Sequence, residues 1–413
     1  MKSDDLKTAR FYPFEHEPVP DSCWSMITGP DGRVYASSCC EMTPGGSVSI
    51  VRYNDDTDSL DTVVNVAKVV GEALDSGKGT QCKIHYSFAS SPNNDILYAA
   101  THLSAPGLGR RYYHAWADYK DQDRAFPHSV VLAYDTGREE VLWHSVFIPR
   151  EGCRCMALDP DRGKLYAISY PRDHFWIFDI GTREIRDLGR LGSVNSQGIF
   201  TDRKGRVFTT NGSGQLVRYL PDEDRLEELP IYLPHHSSVT SWHTVIYDVV
   251  ASPDGDCVYG IPWDSNPHLF RYWPDDGRYG CMENLGPVHQ ERDVTHPVAF
   301  LLDHCGGLVF GADGMLYYAT SRWNSGDELR MNWEFPIDTE GVVVQMNTET
   351  LEKRDFARLQ EPTQRCHYVS RAARDSLGNL FFGQVPRPIP AGISRLQMDA
   401  KGENLHLPIR TWG

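Results

Sequence analysis

The chain has 413 residues, of which 40% are hydrophobic and 23% charged, values typical of a globular protein. Its 41 Lys and Arg residues against 56 Asp and Glu residues give a net charge of −15, which argues against non-specific binding to nucleic acid or to an anionic membrane surface. No apolar run approaches the roughly 20 residues that a membrane-spanning helix needs. The 35 Gly, 26 Pro, 20 Tyr, 16 Phe and 10 Trp residues favour a β-rich fold of short strands and many turns.

The amino terminus and the cysteines bear on the cellular compartment. The segment from Met1 to Leu6 lacks the apolar stretch of a secretory signal, so we expect a cytoplasmic protein. The alternative is an exported protein whose signal is not part of this sequence. The chain contains ten cysteines, and neither Cys39-Cys40 nor Cys153-x-Cys155 has the two-residue spacing of a zinc module. We therefore expect reduced, mostly buried thiols rather than a disulfide framework.

An internal repeat runs along the whole chain. In each copy, a turn containing Asp, Gly or Asn leads into a short strand that carries an aromatic residue. These aromatic residues are Tyr35, Tyr98, Tyr166, Phe208, Tyr259, Tyr317 and Phe381. They divide the chain into units of roughly 58 residues, a period typical of propellers and solenoids.

Each unit carries a second recognisable segment further along the chain. It is an alternating run closed by an Asp, Asn or Thr turn, which predicts a third strand leading by a hairpin into a fourth. These segments begin at Ser49, Val130, Phe175, Gln215, His268, Gly341 and Gly392. No unit has the period of an amphipathic helix. We therefore predict an all-β fold, a single seven-bladed β-propeller domain over residues 1–413 with four-stranded antiparallel blades.

Closure of the predicted ring involves both ends of the chain. We expect the segment from Thr8 to Tyr12 to lie beside strands formed between Gly392 and Thr411. Closure of this kind removes the free edges that an open sheet would expose.

The two faces of such a ring differ in the residues that they receive. The Pro-Asp-Gly turns join the first and second strands, so we interpret their aspartates as structural. Loops that precede a first strand or follow a second strand open on the other face, and they are rich in His, Arg, Tyr and Trp. Such a surface suits an anionic, hydroxyl-rich ligand, although the same residues could simply line the channel or pack between blades. The candidate substrate-binding residues are Arg172, His174, Gln197, His243, Trp263, Arg322, His367, Arg387 and Tyr113.

Two histidines of the second unit are the strongest catalytic candidates. His85 enters the first strand of a predicted hairpin, and His102 leaves its second strand. The two ends of an antiparallel hairpin lie close together, so both rings are expected to face one pocket. Imidazoles that titrate near neutrality can share general-base and general-acid roles. The competing interpretation is two unrelated surface histidines.

Two insertions are expected to cover this face. The larger spans residues 104–128 and is dense in basic and aromatic residues, among them Tyr113. A second insertion spans residues 323–336. Long loops inside compact folds are usually functional or disordered, and we interpret both as ordered lids.

Four segments resemble one family of known enzymes. They are Gln81–His85, Leu97–His102, Arg154–Pro160 and Leu165–Pro171. Together with the layout in seven units, they resemble the seven-bladed propeller polysaccharide lyases, which include ulvan lyases and rhamnose–glucuronate lyases. The layout covers most of the chain, whereas the specific motifs cover the second and third units.

The resemblance implies a carbohydrate-active lyase that cleaves a glycosidic bond to a uronic acid, such as glucuronate bearing rhamnose, by β-elimination. In that family two histidines of one blade lie beside the scissile bond, and a Tyr and an Arg of the following blade assist. These positions match His85, His102, Tyr170 and Arg154, with Arg172 as the competing arginine. The reaction needs a cationic partner for the carboxylate, a base and an acid, and Arg, His and Tyr supply these roles.

Three alternatives from the sequence stay open. The first is a propeller glycosidase that removes rhamnose from glucuronate. The second is a metal-dependent oligogalacturonate lyase, for which His243, His296, His367 and Gln384 are the candidate ligands. The third is a non-catalytic propeller that binds a glycan or a protein. No organic cofactor is predicted, a structural or charge-neutralising divalent cation such as Ca²⁺ stays open, and the expected partner is an anionic oligosaccharide, with no nucleic acid or membrane.

Overall fold

The computed structural model describes residues 6–41, 45–74, 76, 78–103, 120–121, 125–192, 196–234, 244–263, 267–288, 305–323, 331–332, 335–336, 339–359, 369–385 and 390–399. Within these ranges the protein is an all-β propeller built from antiparallel four-strand units. One short helix, α1 (Val66–Val70), follows the first unit.

Five units form separate four-stranded sheets, each with its strands in chain order. The first comprises β2 (Met26–Thr28), β3 (Val34–Ser38), β4 (Ser49–Asn54) and β5 (Ser59–Asn65). The second comprises β6 (Phe88–Ser90), β7 (Ile96–Ala100), β8 (His128–Asp135) and β9 (Glu140–Pro149). The third comprises β10 (Gly152–Asp159), β11 (Lys164–Tyr170), β12 (His174–Asp179) and β13 (Ile185–Arg190). The fourth comprises β14 (Phe200–Thr201), β15 (Val207–Thr210), β16 (Gln215–Leu220) and β17 (Arg225–Tyr232). The fifth comprises β18 (Val245–Ala251), β19 (Val258–Trp263), β20 (His268–Trp273) and β21 (Cys281–Pro287).

The remaining long strands form a single eight-stranded sheet. One half comprises β22 (Cys305–Phe310), β23 (Leu316–Trp323), β26 (Thr339–Met346) and β27 (Lys353–Leu359), and the other comprises β28 (Val369–Arg374), β29 (Leu380–Gln384), β30 (Gly392–Leu396) and β1 (Lys7–Pro13). Two short strands, β24 (Met331–Asn332) and β25 (Phe335–Pro336), pair with each other. All seven aromatic residues of the sequence repeat lie on the second strand of their unit, as predicted.

The prediction of seven separate blades is wrong, because five blades are separate and the last two sequence units share the eight-stranded sheet. The cause is β1, which uses both of its edges. It pairs antiparallel with β30 from Arg10 to Pro13, as the expected ring closure requires. It also pairs in parallel with β27 through Lys7, Thr8 and Ala9, which joins the two halves by backbone hydrogen bonds.

The hydrophobic core lies between neighbouring sheets. Second strands such as β3 are buried along their length, whereas an outermost strand such as β9 alternates exposed and partly buried residues over most of its length. Between the second and third sheets, for example, Val131 and Phe147 pack with Met156 and Trp176 in one cluster. First strands contact the first strands of adjacent sheets, as in β2 with β6 and with β28, so they surround a central channel.

Aspartates of the turns between first and second strands have structural partners, as predicted. Asp31 accepts a hydrogen bond from the hydroxyl of Tyr35 at 2.9 Å. Asp313 accepts one from the hydroxyl of Tyr317 at 2.7 Å. The same four-residue spacing in two units explains why an aspartate in the turn and an aromatic residue on the strand recur together.

Four first strands contain a β-bulge, where an extra residue interrupts the ladder. The shifts lie between Cys153 and Cys155 in β10, between Ile246 and Asp248 in β18, between Gly306 and Val309 in β22, and between Val369 and Ala372 in β28. Bulges re-aim side chains and often lie next to functional sites.

The nine cysteines in the described ranges are all free, and eight of them are buried, which confirms the prediction for those nine. The helix α1 has five residues, so no described helix is long and apolar enough to cross a membrane. The cytoplasmic location stays a prediction.

Candidate active site

His85 and His102 lie at the open end of the β6–β7 hairpin. The hairpin extends beyond its strands through a bridge between Lys83 and His102, in which the His102 N–H donates to the Lys83 carbonyl at 2.7 Å. The two imidazole centroids are 5.3 Å apart, and the residues are only 1% and 2% exposed. The structure therefore brings the histidines together as the hairpin geometry predicts.

Arg154 reaches this pair from the neighbouring sheet because it is the bulged residue of β10. The ladder between β10 and β11 skips it, which leaves its carbonyl free of the sheet. That carbonyl accepts a hydrogen bond from Nδ1 of His85 at 3.0 Å. A backbone group of the third sheet thus orients a side chain of the second.

The hydrogen bonds define the tautomers of both rings. Because Nδ1 of His85 donates, its Nε2 carries the lone pair. Nδ1 of His102 accepts the N–H of Leu103 at 2.7 Å, so the proton of the neutral ring is on Nε2. That Nε2 lies 3.4 Å from Nη1 of Arg154, where two N–H donors face each other. An oxygen acceptor placed beside them would satisfy both.

Electrostatics keep both imidazoles neutral. Burial, then the charges of Arg154 and Lys83, lowers the pKa of His85 well below its usual value. Burial, then Lys83 and Arg154, does the same to the pKa of His102. Protonating either ring would place another positive charge beside the buried Lys83 and the half-buried Arg154, so the lone pair of His85 is retained at neutral pH.

The charges around the histidines are balanced except at Arg154. Lys83 pairs with Glu41 at 3.0 Å, and Arg172 pairs with the fully buried Glu151. In the part of the chain that the structure describes, Arg154 has no carboxylate within ion-pair distance, and its buried Nε has no hydrogen-bond acceptor. This guanidinium is the group best able to accept an external anion.

Tyr170 completes the constellation from the last position of β11. The ring centroid of Tyr170 is 5.1 Å from that of His102, and the Arg154 guanidinium lies 5.5 Å from the Tyr170 ring. Gly152, which pairs with Tyr170 across the ladder, leaves room for the histidine. A Cβ at Gly152 would lie 2.2 Å from Nδ1 of His102, which no side chain tolerates.

One side of the histidine pair is formed by a cluster that sequence reasoning did not assign to the site. The indole of Trp24 stacks on His85 at 4.9 Å and donates through Nε1 to Glu41 at 2.6 Å. The ammonium of Lys83 lies 4.0 Å from the Trp24 ring, and burial lowers the pKa of this lysine. The sequence signals were the Gln81–His85 segment, which contains Lys83, and the position of Trp24 just before a first strand.

Tyr86, Tyr247 and Arg371 separate the histidines from the central channel. The Tyr86 ring contacts His85 at 4.0 Å, and its hydroxyl donates to that of Tyr247 at 2.7 Å. The guanidinium of Arg371 lies 3.4 Å above the Tyr86 ring and pairs with Asp248 at 3.2 Å. Tyr247 and Arg371 both belong to bulges, so their inward position could not be read from strand alternation.

A buried carboxyl lies in the loop that follows Tyr170. Asp173 accepts the Ser196 N–H through Oδ1 at 3.2 Å, and its Oδ2 has no donor among the described residues. Burial raises the pKa of Asp173 to about 7, against the opposing charge of Arg154.

Among the predicted substrate-binding residues, His174 pairs with Asp187 at 2.8 Å and its ring stacks toward that of Trp176. Trp263 meets Tyr247 edge to face at 5.6 Å, and Gln197 lines the central channel. Arg322 lies near the end of β23, where its backbone pairs with that of Glu340 in β26. The remaining candidates lie outside the described residues: Tyr113, His243, His367 and Arg387.

The proposed lids and the metal hypothesis fall largely on positions that are not described. Residues 104–119 and 324–330 lie outside the described ranges, as do His243, His296 and His367. Gln384 is buried, and its amide donates to Oγ of Ser394. Within the described ranges, no three His, Cys, Asp or Glu residues converge in an arrangement that could hold a metal ion.

No protein-family model and no curated protein matches the chain. Solved structures similar to it include the extracellular domain of a protein described as a one-component system from B. thetaiotaomicron, with a TM-score of 0.57 and 14% identity over 95% of this chain. This chain spans 40% of that structure. Streptogramin B lyase matches with a TM-score of 0.55 and 10% identity over 95% of this chain and 98% of its own. Hydrazine synthase from Kuenenia stuttgartiensis matches with a TM-score of 0.55 and 12% identity over 96% and 99%. At these identities the similarity defines the class, a β-propeller, and nothing finer.

Proposed function

We propose that the chain is a carbohydrate-active lyase that cleaves a glycosidic bond to a uronic acid, with a glucuronate-containing oligosaccharide as substrate. The observation that carries the proposal is Arg154, a cation without an ion-pair partner in the described residues, beside two buried neutral histidines. A carboxylate next to the reacting carbon is what such a constellation accommodates.

Binding begins with the substrate carboxylate. One of its oxygens accepts from Nη1 of Arg154 and from Nε2–H of His102, which relieves the contact between the two donors. The charge-assisted hydrogen bonds withdraw electron density from the carboxylate, and this makes the proton on the adjacent C5 more acidic. Arg154 and His102 then stabilise the enediolate that forms when that proton leaves.

His85 removes the C5 proton with its Nε2 lone pair. The C4–O4 bond breaks as the C4–C5 double bond forms, and the electron pair leaves with O4. The hydroxyl of Tyr170 is the proposed donor of a proton to O4, and it later recovers one from the imidazolium of His85 through solvent. No oxidant or reductant is required.

Substrate binding also adjusts the basicity of His85. The charges of Arg154 and Lys83 lower the pKa of this histidine in the free protein. A bound carboxylate offsets the Arg154 charge, so the pKa of His85 rises toward neutrality when a proton must be taken up.

We also infer that the ring contains seven blades. Each half of the eight-stranded sheet repeats the strand order of the five separate sheets, with β1 as the outermost strand of the last unit. Counting that sheet as two blades accounts for all seven sequence units.

The test uses a rhamnose–glucuronate oligosaccharide and the ultraviolet absorbance of the conjugated, unsaturated uronate. We expect absorbance to develop with the unaltered protein and to be lost in His85→Ala. Release of sugar without absorbance would contradict the proposal and favour a glycosidase. Loss of activity on chelation would favour the metal-dependent lyase. Binding without turnover in a folded protein would favour a glycan-binding propeller.

A further inference from the structure

A cavity of about 480 Å³ occupies the central channel on the opposite side of Tyr86 from the histidines. Its walls are the first strands and the residues next to them, and apolar side chains such as Met156 and Phe310 contribute most of its surface. Exposed turn residues Pro253 and Asp313 lie at one end. The cavity therefore opens on the face that carries the turns between first and second strands.

The inner end of the cavity is electrically neutral. Arg371 pairs with Asp248 and also donates to the carbonyls of Ser370 and Tyr247, each at 3.0 Å. Asp248 in turn accepts the N–H groups of Val249 and Leu308, each at 2.9 Å. Because this ion pair is satisfied within the protein, the inner end of the cavity has no reason to recruit an anion or a cation.

One polar atom at the inner end lacks a partner. Gln197 is 2% exposed, and its Oε1 receives no hydrogen bond from the described residues. Among the buried side-chain atoms of the described cavity lining, it is the one acceptor left without a donor. A buried acceptor of this kind is normally satisfied by water or by a ligand.

We propose that this cavity is a second binding site, for a neutral and largely apolar small molecule with one N–H or O–H donor at its buried end. The ligand enters from the turn face, buries its apolar body against the first strands and donates to Gln197. The volume lies within the range of small-molecule pockets, which are mostly apolar with a few placed polar groups. The proposal does not rest on the lyase function and assigns Gln197 to the channel instead of the sugar site.

The test compares two probes of matched shape by calorimetry and ligand-observed NMR. Indole has an apolar bicyclic body and an N–H donor, whereas indene lacks the donor. We expect indole to bind about fivefold more tightly than indene, which is the effect of one neutral hydrogen bond. Benzoate, which has similar size and a negative charge, is expected not to bind.

Two variants test where the probes bind. Gln197→Met keeps the side-chain volume and removes the acceptor, so indole should bind about fivefold more weakly while indene is unaffected. Ala251→Phe places a ring on the cavity wall near the opening and should abolish binding of both probes. Thermal unfolding of each variant checks that the fold is intact.

Three results would overturn the proposal. They are equal binding of indole and indene, tightest binding of benzoate, and no binding of either bicyclic probe, which would leave a cavity occupied by water alone. A failure of the uronate assay has no bearing on these outcomes, because no residue of the histidine pair lines the cavity.

Discussion

The sharpest test of the proposed chemistry is Arg154→Gln, which removes the positive charge and the fork but leaves the backbone carbonyl that holds His85. The charge-assisted hydrogen bond from Nη1 to the substrate carboxylate, about 1.5–3 kcal/mol, is at stake. Because Arg154 is half-buried, solvent screening reduces this value, and we expect a net loss of about 1–2 kcal/mol, or about 5- to 30-fold in kcat/KM.

The same variant has a second expected effect, on the pH dependence. Arg154 contributes to the lowered pKa values of both His85 and His102. Without that charge both pKa values rise, so His85 becomes protonated at a higher pH. The acidic limb of kcat/KM, measured as unsaturated product formed across a pH series, should therefore move to higher pH.

Two further variants separate charge from geometry. Arg154→Lys keeps the charge, so the acidic limb should stay in place while kcat/KM remains reduced. Arg203→Gln, which removes an exposed arginine paired with Asp256 far from the histidines, is the matched control and should leave kcat/KM unchanged. Full activity in Arg154→Gln, or an acidic limb that does not move, would refute the role given to Arg154.

Three other predictions concern the framework around the site. Gly152→Ala should reduce both activity and stability, because the new Cβ would lie 2.2 Å from Nδ1 of the buried His102 and 2.8 Å from the backbone nitrogen of Leu103; kcat/KM and the free energy of unfolding are measured together. Compared with the unaltered protein, Asp173→Asn should raise the free energy of unfolding more at pH 8 than at pH 5, as measured by denaturant titration. In the unaltered protein the pKa of Asp173 is about 7 when folded and has its ordinary value when unfolded. The free energy of unfolding therefore falls by up to about 4 kcal/mol as the pH rises from about 4 to 7. Ala9→Asp should lower the free energy of unfolding by about 3–5 kcal/mol, because an unpaired charge would be buried between the halves of the eight-stranded sheet.

Each of these has a matched control on the same kind of element. Gly181→Ala adds a Cβ whose only close neighbour is a side-chain oxygen at 3.3 Å, and it should leave activity intact. Asp187→Asn removes a partly exposed carboxylate instead of a buried one and is the control for Asp173→Asn. Thr8→Asp lies beside Ala9 on the exposed face of β1 and should cost little. A control that behaved like its partner would contradict the physical reason given for that prediction.

Much of the fold was predictable because it depends on local patterns. The turns and the strand aromatics recur in every unit, and in two units the turn aspartate accepts a hydrogen bond from the strand tyrosine, as Asp31 does from Tyr35. The number of separate sheets was not predictable in the same way. It depends on both edges of β1, and three residues of parallel pairing to β27 leave no mark on the alternation of a strand.

The residues of the candidate site also differ in whether sequence order alone predicts their positions. His85 and His102 could be placed together because hairpin ends meet, a rule that uses only sequence order. Tyr247 and Arg371 could not be placed beside the histidines from strand alternation, because a bulge changes which face of the strand a side chain occupies. The channel position of Gln197 likewise depends on neighbouring sheets that no single unit specifies.

The bulges of the first strands have an implication for how such a ring diversifies. An extra residue without a ladder partner is released from the demands of strand pairing, so its side chain can serve packing or charge instead. Arg154, Tyr247 and Arg371 occupy such positions on three different strands. Of the three, Arg154 is the residue whose exchange would alter the site at the least cost to the scaffold, because Tyr247 is fully buried and Arg371 balances the buried charge of Asp248.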